Sequence, residues 1–215
     1  MISADPAQLM NEIIDRIQQI NLLTIRITQG DNFFSSLPSL RLPQFQHPEL
    51  GMLKLVSWLY AFYQELGKPN IDFIKERFEL YLGENNSRKN HVKTVLRLRT
   101  LFQHNLDPMS QSDNSTQEIC ELWFKDVCGS SYPEDDQQWS LCLVGLLRDT
   151  KNFLVDVHKC IQAIDADEAR VEILRQWAFR RKQYHPQHEF DRVIQIVASD
   201  LGRDINPKKF SNRYL

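Results

Sequence analysis

The chain has 215 residues, 42% of them hydrophobic and 25% charged, which excludes low-complexity and fibrous classes in favour of a globular fold. Lys and Arg number 26 against 28 Asp and Glu, so the net charge of −2 excludes a surface that is cationic throughout, while leaving room for a local basic site. Only seven Gly occur, and no Gly-rich loop that could cradle a phosphate, so doubly wound nucleotide folds and Walker-type sites are excluded.

No apolar run approaches the ~18 residues of a membrane span, and the start, Met1-Ile2-Ser3-Ala4-Asp5, has neither the basic nor the apolar region of a signal peptide. Cys120, Cys128, Cys142 and Cys160 never adopt the C-x-x-C spacing of a zinc site or redox dithiol. They read as small buried thiols of a reduced compartment, and a cytoplasmic protein without a membrane anchor is expected.

In chain order, Pro6 opens a first helix, with Leu9, Ile13, Ile17, Ile20 and Leu23 at helical spacing and Gly30 at its end. Residues 30–48 carry Phe33, Phe34, Leu37, Leu40, Leu42 and Phe45 among Pro38, Pro43 and Pro48. Prolines forbid a continuous helix, and the apolar content predicts an ordered loop packed on the core. A broad apolar surface over Glu49 to Leu66 predicts the next helix. Asn70 is placed as the N-cap of a helix through Leu82, and Ser87 as the cap of one reaching His104.

Residues 107–115 read as an exposed polar loop, followed by a helix from Thr116 to Cys128. The longest helix is predicted from Asp135 to Ile164, and two more over Asp167–Tyr184 and Glu189–Leu201. Nothing alternates with period two. The expectation is therefore a single all-α domain over residues 1–215, a compact bundle of about seven or eight helices. Its tail, 203–215, ends on apolar residues without a polar taper, as the front part of a longer protein would.

Metal chemistry has little support. His185, His188 and Glu189 are close in sequence, but Pro186 breaks the helical register and no second ligand pair lies nearby, so neither a metal nor another cofactor is expected. No G-x-S-x-G elbow supports a serine nucleophile. Glu134-Asp135-Asp136 reads as a charged helix start favoured by the macrodipole.

One segment is sharper. In Val92 to Pro108, Arg99 is followed by the polar Thr100 and, after four intervening residues, by His104, which stands near the expected helix end. Five Arg–His pairs have four to six residues between them, so context must choose. Arg41 to His47 contains Pro43 and lies in the apolar loop. On a helical wheel with Val92 at zero, Arg99 falls at about 340°, inside the stripe formed by Val92, Val95, Leu96, Phe102 and Leu106, and Arg97 falls at about 140°. A guanidinium on a buried stripe is costly unless paired. It either holds a carboxylate on another helix or points into a cleft or seam where it meets a phosphate. His104, at about 120°, reaches Arg99 only if the helix ends there, and Asn105 suits the left-handed conformation common just after a helix end.

This segment resembles the motif of the HEPN family, all-α domains that carry Arg, four to six residues, then His. The resemblance covers the motif helix and, loosely, the all-α layout. It implies a metal-independent endoribonuclease built as a homodimer, with Arg99 and His104 catalytic and Thr100 and Asn105 in support. It also implies a prokaryotic toxin or phage-defence setting, with an antitoxin or other regulatory partner. Some members serve instead as non-catalytic dimerisation or RNA- or protein-binding modules, which is the competing expectation here. Arg180, Arg181 and Lys182, beside Trp177 and Phe179, form a basic segment that either contacts RNA together with Arg97 or simply complements a helix end.

Overall fold

A computed structural model describes residues 5–83, 90–183, 187–200 and 202. Its described residues form nine α-helices and one π-helical turn, with no strand among them. The predicted all-α class is therefore correct. The chain divides into two compact units, residues 1–174 and 175–215, and the boundary falls inside one helix.

The first unit begins with α1 (Pro6–Thr28), whose N-cap Asp5 accepts from the Ala7 amide at 3.0 Å. It ends on Gln29 in the left-handed region (φ 62°), followed by Gly30. The next segment, up to His47, is only partly the packed loop expected. Phe33 and Phe34 are fully buried, and the Asn21 side chain brackets Phe34 by donating to its carbonyl and accepting from its amide. Leu37, Leu40 and Leu42, however, are 43–49% exposed. An aperiodic segment offers no pattern to tell which of its apolar residues turn inward.

Helix α2 (Pro48–Ala61) passes into the π-helical turn Phe62–Leu66, then α3 (Lys68–Lys75) and α4 (Phe78–Leu82) follow. Asn70 is not a cap. It lies buried within α3, and its amide donates to the Phe33 carbonyl, so a tertiary contact explains a residue whose type suggested a boundary. The helix predicted over 70–82 is two helices, broken at Glu76–Arg77. Ser87 lies outside the described residues.

Helix α5 (His91–Gln103) is followed by α6 (Gln111–Cys128). The polar stretch 107–115 is thus a loop only as far as Ser110, whose hydroxyl caps α6 by accepting from the Asp113 amide. The first turns of α6 face solvent and carry no apolar residue to betray them. Helix α7 (Asp136–Ala166), capped by Asp135 and about 46 Å long, is the axis of the unit. Helices α1 to α6 all pack on it. Around it lies an aromatic core of Phe33, Phe34, Trp58, Phe62, Tyr63 and Phe153.

A Cβ on Gly145 would lie 2.6 Å from Val127 Cγ1, so α6 and α7 approach closely only because this position is bare. Val127 is stiff at χ1 and cannot turn aside cheaply. Gly145→Ala is expected to lower unfolding stability by about 1–2 kcal/mol despite the better helix propensity of Ala. Chemical denaturation monitored by circular dichroism measures it.

In the second unit, α8 (Arg170–Gln183, begun in the first unit) and α9 (Gln187–Asp200) contribute buried Trp177, Ile194 and Ala198. Trp177 is core, with the Arg181 guanidinium 5.9 Å from its ring centroid. Tyr184, His185, Pro186 and the 203–215 tail lie outside the described residues. No described helix is long and apolar enough to cross a membrane.

Candidate functional site

The last turn of α5 is pinned from inside by Phe102, whose ring packs against Phe124 of α6 and Trp139 of α7. The helix then stops. His104 donates its amide to the Thr100 carbonyl at 3.0 Å but takes extended angles (φ −128°, ψ 145°). The chain beyond is held by Asp107 and Asp113: Asp113 accepts from the Asp107 amide, and Asp107 from the Met109 amide. The left-handed residue expected at Asn105 is not used. Among described non-glycine residues only Gln29 has positive φ.

Because the helix ends there, the wheel offset between Arg99 and His104 vanishes within one chain. Arg99 Nη1 lies 2.8 Å from His104 Nε2, and the pair is open to solvent. A guanidinium has only protons to give, so Nε2 accepts and the ring carries its single proton on Nδ1. The Arg99 guanidinium carbon also sits 4.6 Å from the centroid of the Tyr60 ring on α2, a cation–π contact that orients the fork.

Arg99 is half-buried rather than sunk in the stripe. The buried side of α5 is His91, Val92, Val95 and Leu98, centred near 290° on the wheel, so Arg99, at about 340°, occupies its shoulder and reaches α2. The carboxylate partner that would make it a structural ion pair is absent: among described residues no Asp or Glu pairs with Arg99. Gln103 donates from Nε2 to Ser57 Oγ at 3.0 Å, tying the end of α5 to α2 beside the pair. The sequence gives no sign of Tyr60, Ser57 and Gln103 as neighbours of the motif. Tyr60 reads there as one more apolar position of α2.

The other candidates are placed differently. Thr100 donates its hydroxyl to the Leu96 carbonyl at 3.0 Å, which leaves its oxygen able only to accept, and a phosphate offers no proton. Asn105 is exposed and adjacent to His104. Arg97 points to α6, where it donates to Thr116 Oγ1 at 2.8 Å. Arg180, Arg181 and Lys182 are in the last turn of α8, in the second unit. His188 lies in α9, and among described residues no group of three His, Cys, Asp or Glu could hold a metal ion.

A second histidine has a different character. His91 is buried, with Nε2 3.0 Å from Tyr63 Oη and 3.3 Å from Thr150 Oγ1. Thr150 in turn gives its hydroxyl proton to the Leu146 carbonyl at 2.8 Å, so the buried imidazole sits in a network with Tyr63 and Thr150. Burial pushes the His91 imidazole down to about 3, and pushes the Tyr63 phenol up. Burial likewise raises the Cys120 and Cys160 thiols to about 12 and that of Cys142 upward, which makes these three poor nucleophiles.

Comparison with known proteins finds no protein-family model that matches the chain, and no curated protein or solved structure similar to it.

Proposed function

We propose that Arg99 and His104 form the catalytic centre of a metal-independent endoribonuclease of the HEPN type. The observation that carries this reading is the 2.8 Å contact between a guanidinium that has no carboxylate partner among the described residues and a solvent-open imidazole. Stacking on Tyr60 orients the Arg99 guanidinium but leaves its charge uncompensated among the described residues. A paired Arg and His with no acid between them offer a phosphate both a charge and a proton carrier.

The chemistry follows from the two side chains. A phosphate is a better acceptor than an imidazole, so an incoming RNA phosphodiester draws the Arg99 fork to its oxygens and frees the Nε2 lone pair. His104 then takes the proton of the neighbouring 2′-hydroxyl, whose oxygen bonds to phosphorus. As the P–O5′ bond breaks, the imidazolium returns a proton to the leaving 5′ oxygen. The products are a 2′,3′-cyclic phosphate and a 5′-hydroxyl. Arg99 holds the charge that builds on the pentacoordinate phosphorus.

In this reading the chain works in the cytoplasm as a homodimer that sets two motifs across a two-fold seam. It serves as a toxin or phage-defence effector and is restrained by an antitoxin or regulatory partner. The competing module reading has one observation in its favour, the exposed Leu37, Leu40 and Leu42, which suit a partner surface. Incubation of purified protein with a mixed-sequence single-stranded RNA in excess chelator tests the proposal. Cleavage that depends on His104 is expected; intact RNA at stoichiometric enzyme contradicts it.

A further inference from the structure

The segment after α1 and the outer face of α2 enclose a groove of about 330 Å³, lined by Leu40, Arg41, Leu53, Lys54 and Ser57. One of its wall residues is tied by a hydrogen bond to the turn that carries His104. Ser57 in its wall is the residue that receives the hydrogen bond from Gln103, the immediate neighbour of His104. Lys54, Ser57 and Tyr60 follow one another at intervals of three on α2, so they share one ridge about 9 Å long. That ridge carries Lys54 at the groove and the Arg99-bearing Tyr60 at the other end.

Among the described residues the lining has two cations and no acid. Arg41 and Lys54 are both exposed, and neither pairs with a described carboxylate. Between them Leu40, 49% exposed, and half-buried Leu53 present flat apolar surface to solvent. Cations beside apolar surface suit a nucleotide, whose phosphate takes the charge and whose base covers the hydrocarbon. An acidic peptide would use the charges, but its carboxylates would leave Leu40 and Leu53 wet.

We propose that this groove is a subsite for the nucleotide next to the cleaved phosphodiester, with Arg41 and Lys54 on its phosphate and Leu40 and Leu53 beneath its base. This rests on the ribonuclease reading for the position of the cleaved bond. The groove gives the enzyme a grip on single-stranded RNA outside the reacting atoms, so its residues set binding rather than chemistry.

The test uses a fluorescent single-stranded oligoribonucleotide with every 2′-hydroxyl methylated, which the enzyme cannot cut, and reads anisotropy over a range of salt. Arg41→Gln with Lys54→Gln is expected to weaken binding by about tenfold and to reduce the slope of log affinity against log salt by about 1.4. Arg41→Lys with Lys54→Arg should restore both. Both side chains are exposed, so the fold is unaffected. Unchanged affinity and slope in the neutralised variant overturn the subsite, as does wild-type protein that fails to hold the oligonucleotide. Loss of oligoglutamate binding with RNA binding intact overturns it in favour of an acidic peptide. Cleavage of unmodified RNA is scored separately. If wild type cuts nothing but the neutralised variant loses the methylated strand, the groove stands as a nucleotide-binding site, and the nuclease reading falls together with the groove's place beside a cleaved bond.

Discussion

His104→Ala is expected to lower the rate of RNA cleavage by about 10²–10⁴-fold, the range for loss of a positioned proton carrier. The imidazole is exposed, and among the described residues its hydrogen bond is to Arg99, so folding stability should change by no more than about 0.5 kcal/mol. Arg99→Ala should cost about 10²–10³-fold, because the developing phosphorane charge loses its donor. Arg99→Lys should recover little of it. A point charge on a flexible stem keeps the sign but loses the two-pronged geometry and the stacking on Tyr60. Single-turnover cleavage of a labelled RNA, with circular dichroism as the folding control, reads all three. A His104→Ala protein that cuts at the wild-type rate removes the assigned proton carrier.

The largest stability effect is expected from acid, and it traces to His91. Its folded-state value is pushed down to about 3, below the ~6.5 of an unfolded chain. Between those values the unfolded state binds a proton that the folded state does not, so stability is full above pH 6.5 and falls as the pH is lowered. The loss contributed by this one residue should reach about 2.5 kcal/mol at pH 4.5. Carboxylates add a loss of the same sign: Glu12, bonded to Lys151, and Asp167, bonded to Tyr81, are both held below the usual carboxylate range. The His91 share is isolated by difference. His91→Gln should be less stable at pH 7, having lost ring packing against Tyr63 and Phe153, but its stability should depend on pH less steeply by up to about 1.4 kcal/mol per unit. Urea unfolding at pH 7.0, 5.5 and 4.5 measures both slopes, and equal slopes would show that His91 is protonated in the folded state.

Periodicity made most of the helices legible. The apolar spacing in α1 and α7 is long and regular, and the observed bounds differ from those expected by a residue or two. What could not be read depends on contacts between distant segments. Asn70 carries a capping side chain, but it spends that side chain on Phe33, 37 positions away. The start of α6 has a cap and two polar turns, and a polar turn looks like a loop until its helix is seen. The motif itself shows the same division. The Arg–His spacing is visible in the sequence, and the end of α5 at His104 could be anticipated. The apolar stripe of the wheel includes Arg99, whereas the buried His91 and Leu98 draw the centre of the packed face away from it. Tyr60 beneath the guanidinium and Ser57 beside it come from α2 and have no local signal at all.

The nature of the cut ends tests the catalytic claim most directly. A single-stranded RNA is incubated with the protein in chelator, alongside the same RNA carrying one 2′-deoxy residue at a mapped cleavage position, and the products are weighed by mass spectrometry. Attack by the 2′-hydroxyl through His104 and Arg99 should leave a 2′,3′-cyclic phosphate and a 5′-hydroxyl, and the deoxy substitution should silence that one position. A 3′-hydroxyl with a 5′-phosphate, or cleavage that persists at the deoxy position, would contradict it.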